Sequence, residues 1–145
     1  MEAQIGLGAD IIMAFDECTE YPADAARVQA SMEMTLRWAR RSKDYFEAHK
    51  HEVPWGRSQL SAASSQEPSI QHPGASIQTL FGIVQGGMDD ALRRESALRT
   101  VEIGFPGYAI GGLSVGEPRE VTREVVEATL EHLPCLLYTS PSPRD

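Results

Sequence analysis

The chain has 145 residues, 41% of them hydrophobic and 23% charged, with a formal net charge of −8. That length and balance suit one soluble domain, and the apolar runs fall well short of the roughly 20 residues that span a bilayer. No basic stretch precedes an apolar one at the N-terminus, and the acidic balance argues against a globally basic nucleic-acid binder while leaving room for a local basic face, so the cytoplasm is the expected setting.

In chain order, the first signal is ADIIMAFDECTEYP, Ala9 to Pro22. It reads as a buried strand that ends in a polar signature. Ala25 to His49 follows as a helix, with Val28, Met32, Leu36, Ala39 and Phe46 near a three-to-four residue period and Arg37, Arg41 and Asp44 on its other side. Val53 to Ser76, with three prolines and a Ser/Gln-rich middle, reads as a loop insertion at residues 53–76. LFGIVQGG, Leu80 to Gly87, gives a second strand ending at Gln85. Asp89 and Asp90 then supply first-turn acids for a helix through Leu92, Leu98 and Val101 to Gly104. The third strand lies in GYAIGGLSVGEP, Gly107 to Pro118, and ends at Gly111 and Gly112. Pro118 suits the first position of a helix carrying Val121, Val125, Thr129 and His132, which Pro134 stops. Strand and helix thus alternate, which predicts an α/β fold with a parallel sheet, either doubly wound or part of a (β/α)8 barrel. CLLYTSPSPRD, residues 135–145, has no helical or strand period, reads as non-native sequence and is set apart from residues 1–134.

The strand ends carry the chemistry. Asp16 follows an all-apolar run, so its carboxylate must find donors, and it suits two N–H groups on one planar ligand. Gln85 offers an amide donor and acceptor, Gly86 and Gly87 leave room for a flat molecule, and Gly111 and Gly112 let backbone N–H and C=O groups approach closely, with Leu113 over the ring. Guanine fits this set, its N1–H and amine facing a carboxylate and its O6 facing an amide or backbone N–H. Plainer readings stand beside these. Asp16, Glu17 or Thr19 could cap the following helix, Gln85 could serve a turn, and Cys18 could be a small buried residue. Arg37, Arg40, Arg41, Lys43 and Lys50, interleaved with Glu33, Asp44 and Glu47, read as a solvated face, and His49 with His51 as surface. Cys18 and Cys135 form no CxxC pair, so neither a disulfide framework nor a zinc site follows from them.

ADIIMAFDECTEYP, MEMTLRWARRS (Met32 to Ser42), LFGIVQGG, LRRES (Leu92 to Ser96) and EIGFPGYAIGGLSVGEP (Glu102 to Pro118) closely resemble, in this order, the bacterial queuine tRNA-ribosyltransferases, or tRNA-guanine transglycosylases. The resemblance implies a (β/α)8 barrel with an inserted zinc subdomain, a homodimeric full-length enzyme, and exchange of guanine at the tRNA wobble position for preQ1, an aminomethyl-deazaguanine. It implies that Asp16 reads the base's N1–H and amine, Gln85 its O6, and that Gly112 and Leu113 close on it. Glu117 resembles the acid that supports a peptide flip between guanine and precursor states. Cys18 and Val115 match the preQ1-using bacterial pattern rather than the one admitting bulkier queuine. The family's aspartate nucleophile, its aspartate general base, the zinc ligands and the main basic tRNA surface have no counterpart in this chain. The expectation is therefore about three βα units of a barrel, holding base-recognition residues and no catalytic or metal-binding ones, inactive alone and poorly stable. A non-catalytic guanine-, preQ1- or tRNA-binding module is the alternative; a chance match to an unrelated α/β enzyme is a third reading.

Overall fold

A computed structural model describes residues 1–52 and 78–134. The element order is α1 (Glu2–Leu7), β1 (Ile11–Met13), α2 (Ala25–His49), β2 (Thr79–Val84), α3 (Asp90–Ile103), β3 (Tyr108–Ile110) and α4 (Arg119–Leu130). The three strands form one parallel sheet in the order β1-β2-β3, with Ile12 beside Leu80 and Ile83 beside Ala109. The mixed α/β class and the parallel pairing agree with the alternation of the sequence. The expectations for residues 53–76 and 135–145, Cys135 included, lie outside the described residues.

Local chemistry sets the boundaries. Asp24 caps α2 by accepting the Arg27 N–H at 2.8 Å, and Asp89 caps α3 by accepting the Leu92 N–H at 2.9 Å. Gly104 ends α3 with φ 82, a conformation that costs glycine little. Pro118 stands at the cap of α4, one residue earlier than the first helical position expected of it. The sequence patterns gave no sign of α1, whose Gln4 does a strand's work: its amide oxygen accepts from Met13 N–H and its nitrogen donates to Met13 C=O, both at 3.0 Å. The outer edge of β1 is thereby bonded at that residue.

The core lies between the sheet and its helices, where Ile5, Ile12, Met32, Leu36, Ala39, Phe46, Leu80, Ile103 and Phe105 pack together. The apolar period of α2 is buried as its spacing predicts. That of α3 is not: Leu98 is 49% exposed, while Arg93, Ser96, Ala97 and Thr100 face inward. Gly82 explains the choice, because a β-carbon there would lie 2.9 Å from Thr100 and 2.6 Å from Phe105. α3 thus presses small residues against a strand that has no side chain at the contact.

The strands are also less enclosed than continuous apolar runs imply. Burial alternates along β2, with Leu80, Gly82 and Val84 turned to the helices. The register puts Ile11, Met13, Phe81, Ile83 and Ala109 on the other face, where Ile11 is 55% exposed, and Phe15 just beyond β1 is 50% exposed. No described element covers that face. Expressed as this polypeptide, the chain should bind a hydrophobic dye and form polydisperse oligomers by light scattering. A soluble monomer with one cooperative thermal transition would refute that expectation.

Candidate functional site

The site is built where the strands stop bonding one another. On either side of Asp16 the backbone is fastened to α2: Phe15 N–H donates to Ser42 Oγ at 3.3 Å, and Glu17 N–H to Thr35 Oγ1 at 3.0 Å. Ser31 Oγ adds a bond to Glu17 C=O at 3.1 Å. These three hydroxyls are buried within the apolar face of α2, a polar seam that the apolar period does not disclose. Asp16, held this way and partly buried, accepts from Gln85 Nε2 at 2.6 Å. Gln85 is 1% exposed, its own N–H donates to Ser96 Oγ at 3.1 Å, and its Oε1 is buried without a partner among the described residues. The two glycines complete the wall. A β-carbon on Gly111 would lie 2.6 Å from Gln85 Nε2, and one on Gly112 would lie 2.4 Å from Gln85 Oε1. Asp16, Gln85 and Gly112 therefore converge.

Arg93 ties this corner together, and the sequence reading missed it. Its guanidinium is 1% exposed and donates to Gly87 C=O at 2.7 Å, Val84 C=O at 3.1 Å, Gly111 C=O at 2.7 Å and Gly112 C=O at 3.4 Å. Burial pushes it down to about 10, with Glu117 and Cys18 opposing, so it stays charged at neutral pH. The available signal was its spacing from Ser96, Ala97 and Thr100, which makes Arg93 one end of an inward small-residue stripe.

Glu117 closes the third loop on itself. Its carboxylate accepts from Ser114 N–H at 2.5 Å, Val115 N–H at 2.9 Å and Thr122 Oγ1 at 2.8 Å, while Ser114 adopts φ 60. Partial burial works against its charge. The N–H groups of Ser114 and Glu117, the Thr122 hydroxyl and the Val115 N–H outweigh it and hold the carboxyl at about 2. Leu113 is partly buried beside Gly112. Cys18 is an exposed free thiol, not the small buried residue its type suggests. A cavity of about 250 Å³ between the rim loops is lined by Thr19, Tyr21, Gly87, Met88, Gly112 and Val115. Larger grooves of about 460 and 550 Å³ run along α2, the second reaching Phe15 beyond β1, and neither is lined by an orphaned buried side-chain polar atom among the described residues.

Several plainer readings are decided by the geometry. Asp24, not Asp16, Glu17 or Thr19, caps α2; Glu17 instead pairs with Arg27 at 3.0 Å, which keeps its carboxyl below the usual range. Arg37, Arg40 and Arg41 are exposed, as a solvated face requires. Lys43 departs from that set: its Nζ donates to Ile103 C=O at 2.6 Å and to Gly104 C=O, satisfying the end of α3. Lys50 pairs with Glu47. His49 stacks on Tyr45 with ring centroids 3.9 Å apart. Among the described residues no three His, Cys, Asp or Glu side chains converge, so these residues do not fit a zinc ion. Nor is any described helix long and apolar enough to cross a membrane.

A family model described as queuine tRNA-ribosyltransferase matches residues 1–143. The chain is 63% identical over 134 residues to a queuine tRNA-ribosyltransferase of Koribacter versatilis, an alignment covering 92% of this chain and 31% of that protein. It is 47% identical over 134 residues to one from a Thermoanaerobacter species and 46% identical over 134 residues to one from Vibrio vulnificus, each alignment covering 92% of this chain and 29% of the relative. The chain thus spans under a third of the length of these curated relatives.

The Glu117 cage has a pH signature. A carboxyl depressed from 4.5 to about 2 contributes order that is fully present above pH 4.5 and is lost as pH falls through about 2. Carboxylate NMR should give Glu117 a midpoint near 2, with the Ser114 and Val115 amides losing protection in the same step. A midpoint near 4.5 would contradict this cage of donors.

Proposed function

The chain belongs to the queuine tRNA-ribosyltransferase family, and on that premise we propose that it is the base-recognition segment of a tRNA-guanine transglycosylase that exchanges guanine at the tRNA wobble position for preQ1. The convergence of Asp16, Gln85 and Gly112 carries this reading. A carboxylate facing N1–H and the exocyclic amine, with the second N–H of the Gln85 amide nitrogen and a backbone N–H donating to O6, gives guanine a partner at each polar atom of that edge. Adenine lacks the N1–H and carries its amine at C6 rather than C2, so Asp16 would find no donors where guanine presents two. Leu113 lies over the ring.

The state of the third loop favours preQ1 over guanine at the ring position where they differ. With Ser114 N–H turned to Glu117, the planar peptide turns the Leu113 C=O the opposite way. A carbonyl there suits the cationic aminomethyl group of preQ1. Guanine has an acceptor nitrogen instead and needs the peptide reversed, which breaks the Ser114 N–H bond to Glu117. Cys18 and Val115 fit the same preQ1-using pattern.

The bond-making groups are read as lying outside this segment. Asp16 faces the base, Glu17 is paired with Arg27, and Glu117 is held by its N–H and hydroxyl donors, so these rim carboxylates are read as serving recognition and structure rather than attack on a ribose. In the same reading residues 1–134 form about three βα units of a (β/α)8 barrel, whose interior the open sheet face would line, with 53–76 as an insertion and 135–145 foreign. Zinc, dimer contacts, the tRNA surface and a cytoplasmic setting belong to the whole enzyme. A non-catalytic base- or tRNA-binding module remains the second reading, because the recognition corner is assembled by the described residues alone.

In the longest reading frame containing this chain, labelled-guanine exchange into tRNA should be present, and Asp16→Asn should lower its kcat/KM by about 10²- to 10³-fold through loss of a charge-assisted pair. Undiminished exchange in that variant would remove Asp16 from base recognition; guanine binding without exchange by the unsubstituted protein would favour the binding module.

A further inference from the structure

Arg93 combines a buried charge with a position one peptide away from the base corner. Among the described residues it forms no ion pair, and its donors go to four backbone carbonyls. Two of those carbonyls, Val84 and Gly87, flank Gln85 and set where its amide can reach. The shortest new connection is to Gly111 C=O at 2.7 Å, and that carbonyl shares its peptide with the Gly112 N–H. The Gly112 N–H takes no acceptor among the described residues. Gly112 itself packs against the end of the Gln85 amide, whose Oε1 is orphaned among the described residues.

A hydrogen bond from a cation to a peptide oxygen draws electron density through the C–N bond and makes the N–H of the same peptide a stronger donor. We propose that Arg93 is a positioning residue of the base pocket, which by charging the Gly111 carbonyl strengthens the Gly112 N–H as the donor to the oxygen of the bound base. The inference rests on the base-recognition reading above and adds to it a residue that never touches the ligand. A negative partner for Arg93 would cancel the effect, and neutral carbonyls do not.

The test pairs Arg93 variants with two bases, guanine and 6-thioguanine, in the full-length protein read from this frame. The thione keeps N1–H and the amine for Asp16 but offers sulfur, a weak acceptor, in place of oxygen. Arg93→Gln should weaken guanine binding by about tenfold to a hundredfold and 6-thioguanine by less than about threefold, with Arg93→Lys recovering part of the guanine loss. Equal losses for both bases, or none, would overturn the inference and leave Arg93 as a scaffold tie. Should Arg93→Gln fail to fold, Arg93→Lys and the unsubstituted protein still decide: the latter should prefer guanine over 6-thioguanine by at least about tenfold, and no preference overturns the inference. Failure of the unsubstituted protein to bind either base would instead remove the base-recognition reading, and the inference with it.

Discussion

Where the three strands end, the sheet stops satisfying its own backbone, and each buried N–H or C=O left over costs about 1–3 kcal/mol if it finds no partner. In this chain the helices supply the partners. Ser31, Thr35 and Ser42 of α2 meet the β1 loop, Ser96 of α3 meets the Gln85 N–H, and Arg93 of α3 meets carbonyls at the end of β2 and just beyond β3. The rim is therefore positioned from behind by polar side chains that the core would otherwise exclude. Its ligand-facing side chains, Asp16 and Gln85, bond only each other, because the backbone around them is satisfied from behind.

That arrangement explains the odd composition of α3. A helix packed on a sheet normally turns its largest apolar residues inward, yet here Leu98 is exposed and Arg93, Ser96 and Thr100 are buried. The missing side chain at Gly82 brings the helix close to the strand, and only small residues fit there. Close approach in turn lets the arginine reach carbonyls at the ends of two strands.

The same physics marks what the sequence discloses. Period-based reasoning locates α2 to the residue and identifies its buried apolar positions, because a long helix repeats its pattern many times. It also brings Asp16, Gln85 and Gly112 to one rim, since each follows directly on an apolar strand. It misses α1, which is too short to show a period, and Arg93, whose side chain looks like surface charge until its acceptors are known. Continuous apolar strands suggested burial on both faces, whereas one face is open among the described elements. Motif resemblance carried the base-reading roles, and the burial of Gln85 with an unpartnered oxygen is the kind of detail that no motif contains.

The side chain of Gln85 occupies the space that β-carbons at 111 and 112 would need. The two glycines are nevertheless not equivalent as evolutionary variables. Gly112 also has φ 68, so a replacement there is strained even with room made for it. Position 111 is blocked by the ends of Gln85 and Ile83, which are side chains. A lineage that shortened both could admit alanine at 111, and would in the same steps give up the amide that faces the base. Covariation among 83, 85 and 111 across relatives would then mark a change of ligand, while position 112 stays glycine throughout.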